Sequence, residues 1–142
     1  MASVNGVQER LARASGLPEL LDAAYDAFGD LLTVIRRHDE PDGEWFIPMV
    51  LAAASAANGR DAVGWAPSLP ARRLHREQAE GDAGYPVTAQ AAADWVGALC
   101  EILAGRLAAA ARFAAGPGDR AACRDAARCA RDVHALLGGG GR

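Results

Sequence analysis

A chain of 142 residues, 51% apolar and 23% charged, has the size and make-up of one globular domain that can bury a core without staples, which excludes a disordered chain. Its net charge of −3 argues against nucleic acid as a partner, because such binders carry a basic excess. Three cysteines, Cys100, Cys123 and Cys129, are odd in number and show no CxxC spacing, which argues against a disulfide framework and a cysteine zinc site.

The apolar half is dominated by alanine and poor in β-branched residues, so composition already leans towards helix. Every basic residue is arginine, and with the alanine and glycine excess this points to GC-rich bacterial coding. The first sixteen residues contain no apolar signal core. The longest apolar run, Ile47 to Ala57, contains Pro48 and Ser55 and falls short of the ~20 residues of a membrane span. The expectation is a cytoplasmic protein with no membrane partner.

Residues 1–6 read as a frayed arm, followed by a short helix from about Val7 to Ser15 anchored by Leu11 and broken by Gly16. Pro18 opens a helix to about Arg37, in which Leu17, Leu20, Leu21, Ala24, Phe28, Leu31, Leu32 and Ile35 fall on one face. Its acids lie early and Arg36, Arg37 and His38 close it, which suits the helix dipole. A third helix, roughly Glu44 to Ala57, is apolar almost all round and reads as the most buried. Pro48 must sit in its first turn, and Asn58-Gly59 reads as its stop. Residues 60–87 form a long connector with a short helix expected at about Ala71 to Glu80. Thr88 caps a fourth helix to about Ala115, with Trp95, Val96, Leu99, Leu103, Leu107 and Phe113 on its buried stripe. Gly97, Gly105 and the run Ala108 to Ala111 would let another helix approach closely. After Gly116-Pro117-Gly118, Asp119 reads as the cap of a last helix ending near Leu137, and residues 138–142 as a flexible tail. The fold expected is an all-α antiparallel bundle of four main helices with one or two short ones, in a single domain.

Four constellations carry possible chemistry. His38 stands among Asp39, Glu40, Asp42 and Glu44, without the three- or four-residue spacing of a helical metal site. His38, His75 and His134 lie in three separate regions and would make an open zinc site if they converged, the basis of a metal-hydrolase reading. Arg72, Arg73, His75 and Arg76 crowd the connector. Arg120, Arg124, Arg128 and Arg131 form a ridge on the last helix that His134 continues, able to hold phosphate through bidentate contacts. Arg128 and His134, with five residues between them, resemble the loose Arg-(x4–6)-His motif of the HEPN family, all-helical proteins of which several cleave RNA as dimers. That resemblance covers two residues. It implies a phosphate or transition-state contact for Arg128 and a place near the scissile bond for His134. Cys129 departs from the polar residue usual after the motif arginine.

No P-loop, GxGxxG or GxSxG occurs, and no cofactor is implied. The leading expectation is therefore a non-catalytic scaffold or protein-interaction module that self-associates, with Trp65 of the connector and the basic residues Arg72, Arg73, Arg76, Arg120, Arg124, Arg128 and Arg131 as candidate contacts. The alternatives are an anionic-ligand binder or HEPN-like ribonuclease using the ridge and His134, and then the histidine-based metal hydrolase.

Overall fold

The computed structural model of this chain describes residues 4–70 and 85–138. They form α1 (Val4–Arg13), α2 (Leu17–Arg36), α3 (Phe46–Gly64), α4 (Ala89–Phe113), α5 (Pro117–Val133) and a closing π-helical turn, His134–Gly138. No strand occurs among the described residues, and the protein is all-α.

Local signals explain most boundaries. Leu11 and Ala14 bury themselves against the bundle and dock α1. Gly16 then turns the chain at φ +82°, a left-handed conformation that glycine adopts without strain. Leu20, Leu21, Ala24, Phe28, Leu31, Leu32 and Ile35 of α2 are all buried, as their spacing predicts. Thr88 caps α4, its hydroxyl accepting the Ala91 N–H at 3.1 Å.

Four helices stand in a ring. α2 packs on α3, α3 on α5, α5 on α4 and α4 on α2, while α1 lies over the seam between α2 and α4. The ring order follows from which residues meet. Phe28 lies against Gly59 and Tyr25 against Gly64, so α2 and α3 are antiparallel. Ser68, just past α3, bonds Asp119 in the first turn of α5, so α3 and α5 are antiparallel as well. α4 and α5 make a tight hairpin. The diagonal helices α3 and α4 therefore run the same way, and the chain must travel the length of the bundle between them. That geometry is the reason for the long segment 65–88.

Several expectations need correction. α3 does not stop at Asn58-Gly59 but continues to Gly64. Gly59 is there for packing, because a Cβ at this position would enter the ring of Phe28. The connector consequently begins at Trp65. Asp119 is not the cap of α5, which Gly116 and Pro117 begin; it lies buried in the first turn and serves Ser68 instead. Phe113, expected on the buried stripe, is 80% exposed, at the rim of an open hollow beside Leu17 and Leu20. Gly105 faces open space rather than another helix. The helix expected at about Ala71 to Glu80, with Arg72, Arg73, His75 and Arg76, lies outside the described residues, as do residues 139–142.

Gly59→Ala is expected to destabilise the fold. Overpacking against Phe28 costs about 1–3 kcal/mol, more than the helix propensity of about 1 kcal/mol that alanine returns. A lowered urea midpoint would show it, and the loss should shrink in a Phe28→Leu background.

Candidate functional site

Helix α3 decides where the unusual surface lies. Met49, Ala52, Ala56, Gly59 and Val63 recur at intervals of three and four and are its only buried residues. Four of these five are alanine, glycine or valine, so α2 and α5 approach this side closely. The opposite side carries Ile47 (62% exposed), Val50 (42%), Leu51 (49%) and, one residue past the helix end, Trp65 (84%). Ala54, Asn58 and Asp61 complete that outer stripe and are exposed. From Phe46 to Gly59 the helix bears no charge. The stripe from Ile47 to Trp65 spans roughly 27 Å at 1.5 Å per residue.

The expectation that α3 is the most buried helix is therefore wrong, and the reason is geometric. In a four-membered ring each helix has two neighbours, so about half its circumference faces outwards. α1 covers the α2–α4 seam, and among the described residues no element packs on the outer side of α3.

The backbone around Trp65 is pinned. Asp119 accepts the Ser68 N–H at 3.0 Å and the Ser68 hydroxyl at 2.6 Å, and Pro67 lies against Gly118. Trp65 thus projects from a fixed corner between α3 and α5. Trp65, a candidate contact from the sequence, is indeed exposed.

The arginines of α5 divide by use. Arg120 donates to the carbonyls of Ala114 and Ala115 at 3.0 and 2.9 Å and closes the α4–α5 turn. Arg128 pairs with Asp125 at 3.2 Å. Arg124 and Arg131 are exposed and have no partner among the described residues. His134 lies 3.9 Å from the Glu101 carboxylate. Six helical positions rotate Arg128 away from His134 by about 240°, so the two leave α5 at different angles. His38 Nε2 lies 3.4 Å from the Pro86 carbonyl, beside Arg37, which stacks on Tyr85 at 4.8 Å. Both contacts hold Tyr85 and Pro86, just before α4, to the end of α2. His75 lies outside the described residues, and no group of three His, Cys, Asp or Glu among the described residues could hold a metal ion.

The thiols are buried and protonated. Burial pushes Cys100 up to about 12 and, together with the Asp119 charge, Cys123 up to about 11. Burial also raises Cys129. None supplies a thiolate near neutral pH.

An open hollow of about 310 Å³ lies between the α1–α2 turn and the end of α4, walled by Gly16, Leu17, Leu20, Ala110, Phe113 and Arg106. Arg106 is already spent on the α1 terminus, donating to the carbonyls of Leu11, Ala12 and Ala14 at 3.1, 2.6 and 2.7 Å. Across the same seam Arg10 bridges Asp22 at 2.8 Å and Asp26 at 2.6 Å.

Sequence reasoning missed the outer stripe of α3. The available signal was size: small residues mark the side that packs, and the large aliphatics occupy the other.

No family model, curated protein or solved structure matches this chain. Function must be argued from the surface just described.

Asp30, beside that α1–α2 seam, gives a pH signature. Burial first, and the Asp26 charge second, push its carboxyl from 3.8 up to about 6, against the lowering effect of Arg10. The raised value favours the protonated form in the fold, so ionised Asp30 costs stability. That cost is absent below about pH 4, grows towards pH 6 and is complete above it. Asp30→Asn should stabilise the protein by roughly 1–2 kcal/mol at pH 8, after allowance for partial exposure. Denaturation at pH 3.5 should show no such gain.

Proposed function

We propose that this chain is a non-catalytic interaction module that binds a protein surface through the outer stripe of α3. The observation that carries the reading is the exposed apolar row Ile47, Val50, Leu51 and Ala54, with an almost fully exposed Trp65 further along the same stripe, beyond Asn58 and Asp61. Single exposed apolar residues are ordinary on proteins; an uncharged row of them on one helix marks a contact surface. Tryptophan at its end is the residue type that most often anchors an interface.

Magnitudes bound the contact. Burying an aliphatic side chain fully is worth about 1.5–3 kcal/mol, and Ile47, Val50 and Leu51 stand about half exposed, leaving roughly 1 kcal/mol each. Association costs on the order of 4–15 kcal/mol before any surplus appears. The aliphatic patch alone is therefore too small, and productive binding has to cover Trp65 too.

The exposed guanidiniums of Arg124 and Arg131, without a partner among the described residues, support a second reading, contact with an anionic ligand on α5, of which a HEPN-like ribonuclease using Arg128 and His134 is the catalytic form.

A photo-crosslinking residue placed at Val50 tests the first reading in living cells. Protein adducts are expected at Val50 and not at Thr33, which is exposed on α2. An absence of adducts at Val50 would remove the α3 surface from consideration. Arg124→Glu combined with Arg131→Glu should leave the Val50 adducts unchanged; their loss would move the contact to α5.

A further inference from the structure

We propose that a second copy of this chain covers the α3 stripe in a twofold, antiparallel arrangement, with each Trp65 over the other copy's Ile47 and each Asp61 against the other copy's Arg36. The proposal rests on the interaction-module reading and names its partner.

The stripe is self-complementary when reversed. Its aliphatics lie at the start of α3 and its tryptophan at the end. Two stripes laid antiparallel, with the axis at the level of Ala56, set each bulky aromatic on the most exposed aliphatic of the other copy's stripe. The exposed positions flanking the axis are Ala54 and Asn58, small enough for two helices to come close there. An interface of this kind is isologous, the commonest form of closed pairing.

Area then calls for help from the neighbouring helices. A strip of roughly 27 by 10 Å is about 270 Å² per copy, well under the ~800 Å² per partner of a stable complex. The rims beside α3 must join the contact, and one rim carries a matching charge. Phe28 meets Gly59 across the α2–α3 seam. Eight residues further along α2, Arg36 stands level with Leu51, exposed and without a partner among the described residues. The reversed pairing brings the other copy's Asp61, the only charge on the outer stripe, to this same level. The pair forms twice, once on each side of the axis. Within one molecule Arg36 stands about ten residues of helix, some 15 Å, from the level of Asp61, so the two cannot pair internally.

Sedimentation velocity on the intact protein, from about 1 to about 200 μM, tests the arrangement, with circular dichroism confirming that each variant is folded. The wild type is expected to dimerise reversibly. Trp65→Ala should weaken it by about tenfold or more. Arg36→Asp and Asp61→Arg should each weaken it about fivefold, and the double exchange should return it to within about threefold of wild type. A dimer indifferent to both single reversals, or a double exchange no better than either single one, would overturn this register. A wild type that stays monomeric throughout would overturn the second copy as partner. Val50 adducts to some other protein would in that case keep the interaction-module reading alive, whereas their absence would end both.

Discussion

Gly59 has no side chain, and the ring of Phe28 occupies the space that one would take. This contact sets how near α2 and α3 come and which of their residues stand level. It also fixes the rotation of α3, since the glycine must face inwards together with Met49, Ala52, Ala56 and Val63. Once that side is turned to the core, Ile47, Val50 and Leu51 have nowhere to go but out. The exposed stripe is thus a consequence of the tight seam rather than a separate feature. The helix could not hide its large aliphatics without opening the α2–α3 contact by the width of a side chain, and close-packed interiors resist such a change.

The charged side chains reinforce the frame at its corners. Arg106 gathers three carbonyls at the end of α1, Arg120 closes the α4–α5 turn, and Asp119 ties the segment beyond α3 to α5. Each answers backbone groups that a helix end or a turn leaves unpaired. Arginine suits this work because one guanidinium carries five donors in a fixed plane. Charges engaged in this way are poor candidates for chemistry. Of the ridge on α5, Arg120 is consumed by the fold, which narrows the anion-binding reading to Arg124 and Arg131 with the half-engaged Arg128.

The periodicity of α2 was legible in the sequence because its two faces differ in polarity, and the Thr88 cap because its side chain performs a local task. α3 was not legible in the same way. Hydrophobic periodicity reports a difference between faces, and here both are apolar, one lined by small residues and one by large. Asn58-Gly59 looks like a stop because glycine often ends helices. It reads otherwise only when Phe28, thirty-one positions earlier, is known to lie against it. Asp119 reads as a cap for a similar reason: its partner Ser68 is remote in sequence, and no local rule points to it. Trp65 is the exception: named in the sequence as a candidate contact, it caps α3 and stands exposed.

An exposed apolar face needs a physical reason to persist, since it invites indiscriminate sticking. The other long helices dilute theirs: α2 carries Asp22, Asp26 and Arg36, α4 carries Asp94, Glu101 and Arg112, and α5 alternates arginine with aspartate on its outer side. α3 omits charge for fourteen residues, then carries Arg60, half-buried off the stripe, and Asp61, the one charge of the outer stripe, between the aliphatics and the tryptophan. One charge in that position does little for solubility. It does much for register, because an apolar strip can slide along another at small cost whereas a buried or rim carboxylate must find its counter-charge. A surface meant only for solvent would have spread its charges. This one concentrates its apolar area and keeps one charge, the arrangement by which the proposed pairing would hold its register.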